Sequence, residues 1–171
     1  MHIVRAMTAA KAADVVAAAA RSGAWRAAGI NANLDVDPAV RDAEVLFEVD
    51  EAALIGLCRD RLFAVTRDIA ALVAANSVLA ELQIVRYHAG GKYVDHRDSP
   101  AAGATSRALS LVCYLNDDFG GGETVFADPA VSVAPLTGAA VVFSPLLLHR
   151  AEPVRGGTKY VVTAWYHIPP G

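Results

Sequence analysis

The sequence predicts a mainly β protein with supporting N-terminal helices, an α+β fold whose core is a double-stranded β-helix, or jelly roll. Three observations lead to this class. Residues 1–80 are rich in helical patterns, whereas residues 81–168 carry short β-type runs separated by turns with glycine and proline. The length of 171 residues fits one domain, 1–171, and the chain contains no internal repeat or low-complexity linker.

The first helix is predicted close to the N-terminus. Thr8 is a suitable N-cap for a helix over about 9–22, which Gly23 would end. His2 lies before this helix, and we expect it to belong to a frayed terminus.

The next segments predict a short strand and a long helix. Residues 25–34 are irregular or form a first strand, and residues 41–48 show the apolar alternation of a short strand. Asp50 is then predicted to cap a helix over about 51–75, whose leucine, valine and isoleucine residues form one apolar stripe opposite charged residues.

The second half is predicted to contain seven short strands. They lie near 82–88, 93–98, 107–116, 123–126, 131–134, 139–144 and 159–168. So many short strands in about 90 residues favour a sandwich or barrel over a parallel α/β sheet. The predicted architecture is therefore a jelly-roll core over 81–168, supported by the helices of residues 1–80.

Charge and composition exclude several kinds of partner. The formal net charge of −3 gives no electrostatic reason to expect nucleic acid or an anionic membrane surface. No apolar run reaches the roughly 18 residues of a membrane span, and Lys11 and Asp14 interrupt any signal-like core. Cys58 and Cys113 lie far apart in apolar contexts, which favours buried free thiols. We therefore expect a cytoplasmic monomer or homodimer.

The stretch "YHAGGKYVDHRDS" contains a candidate metal-binding pattern. His96 and Asp98 are two residues apart, so on an extended strand their side chains project from one face, with Arg97 pointing away. His149 is the candidate third ligand, whereas His88 is expected to be a loop residue. Two histidines and one carboxylate form the facial triad suited to non-haem Fe(II). An H-x-D pair alone is more often solvated or structural, so it needs independent support.

Lys159 supplies part of that support, ten residues after His149. It heads the β-type run "KYVVTAWYH". Period-two alternation places on one face the residues Lys159, Val161, Thr163, Trp165 and His167. A lysine on such a face is costly to bury unless an anion meets it. The alternative is a strand-end lysine whose ammonium group reaches water.

Four segments of the second half, in chain order, carry further motifs: "LQIVRYHAGGKYVDHRDS", "RALSLVCYLNDDFGGGETVF", "VAPLTGAAVVF" and "HRAEPVRGGTKYVVTAWYH". As an ordered set they resemble the 2-oxoglutarate- and Fe(II)-dependent dioxygenases of the prolyl 4-hydroxylase type. The corresponding family patterns are Q-x-x-x-Y…G-x-x-Y…H-x-D, R-x-x-[ST]…Y-L-N-D-x-x-x-G-G-x-T-x-F, P-x-x-G-x-A-x-x-F and H-x-x-x-P-V-x-x-G-x-K…W. The resemblance covers about residues 80–168, and the first 80 match only loosely.

The resemblance implies an enzyme that uses Fe(II), 2-oxoglutarate and O2, with ascorbate as a further candidate. It would hydroxylate an unactivated C–H bond and release succinate and CO2. His96, Asp98 and His149 would bind Fe(II). Lys159 would form a salt bridge with the distal carboxylate of 2-oxoglutarate, where a lysine acts as a point charge on a long stem.

The resemblance also implies roles around these four residues. Tyr87 and Tyr114 match family tyrosines that hydrogen-bond the cosubstrate. Trp165, Arg107 and Thr163 are candidates for the substrate or cosubstrate pocket.

Three other classes of function stay open at this point. A non-enzymatic jelly-roll module that binds a metal or small ligand would not need Lys159. An oxidative nucleic-acid demethylase would use an arginine anchor and a basic surface, and a halogenase would lack the ligand Asp98.

The substrate also stays open. A prolyl residue of a peptide or protein and a free amino acid or other small metabolite are both compatible with the motifs. The loop over 98–106 is short, which predicts an open site or a lid from the helical half or a second subunit.

Overall fold

The computed structural model describes residues 1–30, 34–99 and 107–169. Within them lie two helices, α1 (Ala9–Arg21) and α2 (Ala52–Val73). The first four strands are β1 (His2–Arg5), β2 (Arg26–Ala27), β3 (Glu44–Phe47) and β4 (Val78–Tyr87). The others are β5 (Tyr93–His96), β6 (Arg107–Tyr114), β7 (Gly120–Gly121), β8 (Thr124–Ala127), β9 (Ala130–Val133), β10 (Ala139–Phe143), β11 (His149–Ala151), β12 (Val154–Gly156) and β13 (Lys159–His167).

The described strands form a major sheet, a minor sheet and a small two-stranded sheet. The major sheet has the order β1-β10-β6-β13-β4-β3-β2, the minor sheet β5-β11-β8-β9, and the third joins β12 to β7. The helices cover one face of the major sheet through a core that includes Ile55, Leu62 and Val162. The other face meets the minor sheet through Tyr87, Phe126 and neighbouring apolar residues. This arrangement confirms the predicted mainly β fold with a double-stranded β-helix.

Helix α1 begins where the sequence predicts. The Thr8 hydroxyl accepts a hydrogen bond from the Lys11 amide at 3.3 Å, as an N-cap does. Ala12, Val15 and Ala19 are buried at spacings of three and four residues, so one face of the helix packs on the core.

Helix α2 is present, but Asp50 does not cap it. The N-cap is Glu51, whose side chain makes no capping hydrogen bond. The Asp50 carboxylate instead accepts a hydrogen bond from Arg26 at 2.5 Å. A guanidinium is a charged donor and competes well with a backbone amide for the same oxygen. The prediction of Asp50 as the helix cap is therefore wrong.

The N-terminal segment is a strand of the major sheet, so the predicted frayed terminus is also wrong. β1 pairs antiparallel with β10, from His2 opposite Val142 to Arg5 opposite Ala139. β2 and β3 lie at the opposite edge of the same sheet. Residues 1–80 thus supply strands as well as supporting helices. A four-residue strand carries too little periodicity to be recognised without its pairing partner.

The seven strands predicted in the second half are all present, with shifted ends. β7, β11 and β12 are additional strands of two or three residues each. β11 is the important addition, because it begins at His149, which lies outside the seven predicted strands.

Two smaller sequence predictions concern the cysteines and membranes. Cys58 and Cys113 are buried free thiols, as predicted, and burial raises the pKa of each to about 12. Among the described residues, neither helix is both long and apolar enough to cross a membrane.

Candidate metal centre

Three side chains that could bind a metal meet at one point on the minor sheet. Their candidate ligand atoms, from His96, Asp98 and His149, all lie within 4.8 Å of one another. The Asp98 carboxylate oxygen Oδ1 is 3.6 Å from His96 Nε2 and 3.9 Å from His149 Nε2. The set of two imidazole nitrogens and one carboxylate oxygen suits a divalent transition metal that keeps open coordination positions.

Strand pairing explains how residues 53 positions apart come together. His96 ends β5 and His149 begins β11, and the two residues are directly opposite each other in the antiparallel pair. Asp98 lies just beyond the end of β5, so its carboxylate reaches the site from a bend. The prediction that His96 and Asp98 face one point is confirmed, but an extended strand accounts only for His96.

Backbone carbonyl groups orient both imidazole rings. His96 Nδ1 lies 2.8 Å from the Val94 carbonyl oxygen, and His149 Nδ1 lies 2.9 Å from that of Leu147. A carbonyl oxygen only accepts, so each Nδ1 must carry the hydrogen. The Nε2 lone pairs are therefore free for a metal, in the arrangement that metal-binding histidines usually show.

The electrostatics of the site also favour a neutral His96. Burial is the main reason that the pKa of His96 falls to about 4, and the nearby His149 lowers it further. Asp98 opposes this shift. At neutral pH the His96 ring is therefore in the unprotonated form that a metal requires.

Aromatic side chains hold the rings in place. The Tyr93 ring stacks on His96 with 3.6 Å between centroids and 15° between planes. Phe143 lies edge-on to His149 at 4.7 Å, and Phe126 lies 5.8 Å from the same imidazole. These contacts fix the ligands before any metal binds, which reduces the conformational cost of binding.

Lys159 is a buried cation that faces the metal triad across the interior. Its side chain is 1% exposed, so the alternative of an ammonium group in water is excluded. The ammonium donates a hydrogen bond to the Gly122 carbonyl at 2.7 Å and lies over the Tyr87 ring at 5.0 Å. Burial lowers the pKa of Lys159 to about 7, against an opposing effect of Glu123.

The surroundings of Lys159 fit a carboxylate ligand. No carboxylate of the described residues lies within hydrogen-bond distance of its ammonium group. Carbonyl and aromatic partners leave a buried cation incompletely compensated. The carboxylate of a small dianion would complete it.

The glycine run "GGGET" makes room for this lysine. Gly122 has a φ of +69°, and a Cβ atom there would lie 3.1 Å from Lys159 Cδ and 2.9 Å from the Phe119 ring. A larger residue would therefore press on the stem that positions the ammonium group.

A cavity of about 860 Å³ lies between the sheets and connects the triad to Lys159. The predicted face of β13 is confirmed, because Lys159, Val161, Thr163, Trp165 and His167 all line it. Tyr87 also lines the cavity. Tyr114 is fully buried, and its hydroxyl donates to Thr124 Oγ1 at 2.6 Å. Its role as a cosubstrate contact therefore stays a prediction.

Arg107 links the cavity wall to the triad. It donates to the backbone carbonyl of Asp98 at 3.0 Å and to the Glu81 carboxylate at 2.5 Å. Its guanidinium carbon lies 4.2 Å from the centre of the Trp165 ring. The predicted pocket residues Arg107 and Trp165 are thus in contact with each other.

Polar atoms along this wall are ready for a ligand. Gln83 Oε1, Thr163 Oγ1 and Trp165 Nε1 are buried and have no hydrogen-bond partner among the described residues. Gln83 and Thr163 are direct neighbours on β4 and β13. Because buried polar atoms are normally satisfied, water or a bound ligand is expected to complete them.

The structure adds cavity residues that sequence reasoning missed, and it leaves His88 outside the site, as predicted. Arg41 and Tyr93 line the cavity, although only Tyr93 carried a signal, in the G-x-x-Y motif. Arg97 lines it too, so the prediction that it points away is wrong. His88 lies outside the triad and pairs with Glu44 at 3.0 Å, as a loop residue can.

Comparison of the sequence with known proteins agrees with the geometry of the site. The family model of the 2OG-Fe(II) oxygenase superfamily matches residues 82–167. Prolyl 4-hydroxylase subunit alpha-1 of Bos taurus is 34% identical over 109 residues, which is 53% of this chain. The aligned part is 20% of that relative, so the chain spans about a fifth of its length.

Solved structures show the same fold. A viral collagen prolyl hydroxylase from Paramecium Bursaria Chlorella virus-1 superposes with a TM-score of 0.77 at 19% identity, covering 99% of this chain and 96% of the other. A prolyl hydroxylase from Trichoplax adhaerens, in complex with a hypoxia inducible factor peptide fragment, gives 0.73 at 17% identity, with 98% and 83% covered. At these identities the likeness establishes the fold.

Proposed function

The chain belongs to the 2OG-Fe(II) oxygenase superfamily, and from that membership we propose that it is a 2-oxoglutarate-dependent dioxygenase that hydroxylates an unactivated C–H bond. The observation that carries the proposal is the pairing of a two-histidine, one-aspartate triad with a buried lysine across one cavity. A protein that only bound a metal would have no need of the buried cation.

The triad of His96, Asp98 and His149 would hold Fe(II). Their Nε2 and carboxylate atoms converge, and the backbone carbonyls of Val94 and Leu147 keep the rings oriented. When bound, Fe(II) and 2-oxoglutarate supply the electrons for dioxygen activation, with succinate and CO2 as products and one oxygen atom inserted into a C–H bond.

The cavity residues bind and orient the cosubstrate. Lys159 would take the distal carboxylate of 2-oxoglutarate, helped by the Gly122 carbonyl that fixes its ammonium group. Tyr87 lies beside this ammonium and is available to the same carboxylate. Val161, between Lys159 and Thr163 on the same face, keeps the centre of the cavity apolar and limits the access of water.

The substrate side of the cavity lies beyond the triad, along Trp165, Arg107 and Thr163. The Trp165 ring offers a flat apolar surface. Its indole N–H and the Thr163 hydroxyl have no partner in the described part of the chain, so both can orient a polar group. Such a surface suits the ring of a prolyl residue in a peptide. A free amino acid or other small metabolite is the competing substrate class.

The test is a succinate-formation assay with Fe(II), 2-oxoglutarate and a panel of proline-containing peptides and free amino acids. We expect turnover that His96→Ala abolishes, because one metal ligand is lost, and weak 2-oxoglutarate binding in Lys159→Ala. Retained turnover in His96→Ala would refute the metal assignment, and normal 2-oxoglutarate affinity in Lys159→Ala would refute the anchor.

A spectroscopic measurement separates the enzyme from a non-enzymatic binding module. Anaerobic addition of Fe(II) and 2-oxoglutarate should produce a weak visible metal-to-ligand charge-transfer band. Its absence would favour a jelly-roll module that binds a metal or ligand for recognition. The cytoplasmic location, the oligomeric state and a use of ascorbate stay predictions, and the loop 98–106 lies mostly outside the described residues.

A further inference from the structure

The cavity carries an excess of positive charge, although the whole chain has a net charge of −3. Of the described residues that line it, four arginines and Lys159 stand against two carboxylates, Glu81 and Asp98. A metal dication and the 2-oxoglutarate dianion would offset each other, so the loaded cavity keeps this excess. A cleft lined by one sign of charge concentrates ligands of the opposite sign.

Three of the five cations already have a partner or a role. Lys159 is the proposed cosubstrate anchor. Arg107 pairs with Glu81 at 2.5 Å, and Arg150 pairs with Glu152 at 2.6 Å. Neither arginine needs a further anion to balance its charge.

Arg41 has no carboxylate partner among the described residues. Its Nη1 donates to the Gly29 carbonyl at 2.8 Å, and its guanidinium carbon lies 4.9 Å from the centre of the Tyr93 ring. Its Nε is buried and has no hydrogen-bond partner within residues 1–30, 34–99 and 107–169. A buried N–H without an acceptor is costly, so this atom favours a ligand that brings one.

Arg97 lies at the rim of the same cavity, between the two ligands His96 and Asp98 in sequence. It donates to the Leu146 carbonyl oxygen, and no carboxylate in the described part of the chain pairs with it. A guanidinium has five N–H donors, so one carbonyl contact leaves most of them available. A guanidinium can bind a carboxylate through two parallel hydrogen bonds, whereas it makes only one to a backbone carbonyl oxygen.

We propose that Arg41 and Arg97 bind a carboxylate of the substrate, so that the enzyme selects an acidic peptide segment next to the residue it hydroxylates. This inference rests on the proposed function and adds the substrate class. The volume of about 860 Å³ is at the upper end for ligand pockets, which is more room than 2-oxoglutarate and one amino acid fill. An acidic side chain of a peptide is therefore the favoured source of the carboxylate.

The experiment measures binding and turnover separately. Three acetylated and amidated pentapeptides carry a central proline flanked by aspartate, asparagine or lysine, each with a neutral fluorophore. Their affinities are measured by fluorescence anisotropy with Zn(II)- and 2-oxoglutarate-loaded protein, which does not turn over. We expect the aspartate peptide to bind about tenfold more tightly than its isosteric asparagine counterpart at low salt, and this preference to shrink severalfold at 0.3 M salt.

Variants assign the preference to the two arginines. Arg97→Gln and Arg41→Gln should each reduce the aspartate-to-asparagine ratio to about threefold, and the double variant should bring it close to one. Arg61→Gln removes the same charge from the exposed surface of α2 and should leave the ratio unchanged. Arg97→Glu should reverse the preference in favour of the lysine peptide.

The outcomes separate the inference from the proposed function. A preference for aspartate with no succinate formation would support the arginine site and contradict the hydroxylase proposal. Equal affinities, or no binding of any peptide, would overturn the inference even where 2-oxoglutarate is consumed. Free proline could instead bind more tightly than the peptides, with that tighter binding lost in prolinamide. This result would overturn the proposal of a peptide substrate and assign the bound carboxylate to a free amino acid.

Discussion

Binding of 2-oxoglutarate should weaken as the pH rises above 7, because the free protein holds Lys159 near its point of deprotonation. Burial lowers the pKa of this lysine from its ordinary value of 10.5 to about 7. A bound carboxylate favours the charged form and raises the pKa again. Binding above pH 7 is therefore coupled to the uptake of a proton, whereas below pH 7 the lysine is already charged.

The magnitude follows from the fraction of the free protein that carries the charged lysine. With a pKa of about 7 that fraction is about one in eleven at pH 8 and about one in a hundred at pH 9. The dissociation constant should thus be constant below pH 7 and rise toward tenfold per pH unit above it. At pH 8, about 0.9 proton should be taken up for each 2-oxoglutarate bound.

The assay is isothermal titration calorimetry of the Zn(II)-loaded protein in buffers with different ionisation enthalpies. The control is Lys159→Arg, because a guanidinium stays protonated throughout this range. Uptake below about 0.3 proton at pH 8, or an identical pH dependence in Lys159→Arg, would show that Lys159 is not the titrating anchor.

Three further predictions concern the metal and the core. His149→Ala should remove most bound Fe(II) as measured by metal analysis, whereas His88→Ala should retain it; equal loss would contradict the ligand set. Lys159→Met should raise the free energy of unfolding of the ligand-free protein by about 2 kcal/mol at pH 6, since a buried charge is removed. This gain in stability should shrink between pH 7 and 10.5, because in that range the wild-type lysine is neutral in the folded state and still charged in the unfolded state. Denaturant titrations of both proteins at pH 6 and pH 10 test the gain and its decrease. Tyr166→Phe should lower the free energy of unfolding by about 1 kcal/mol through loss of its 3.0 Å hydrogen bond to Thr66, and an unchanged denaturation midpoint would contradict this.

Local patterns were sufficient to predict the elements with strong periodicity. The cap at Thr8 and the inward face of β13 follow from short-range rules, and both are confirmed. β1 and β11 were not predictable in the same way. Each is only three or four residues long, and its hydrogen bonds go to strands that are distant in sequence.

The assignment of side chains to partners could be predicted only in part. Asp50 looks like a helix cap in sequence, but the guanidinium of Arg26 reaches it across 24 residues. A long-range partner therefore takes the group that the local pattern assigns to the helix. The hydroxyl of Tyr114 donates to Thr124 in the folded chain, and its predicted contact with the cosubstrate stays a prediction.

The sequence by itself determined the chemical identity of the site: two histidines, one aspartate and a lysine at spacings that one family of motifs shares. The tertiary structure decided how these groups meet and what surrounds them. Strand register places His96 opposite His149, and burial on β13 gives Lys159 a pKa near 7. The tertiary structure also brings Arg41 to the same cavity, from a segment that carries no motif. The physical reason is that residue spacing restricts only neighbours along one strand, whereas desolvation and charge balance depend on every chain segment packed around the group.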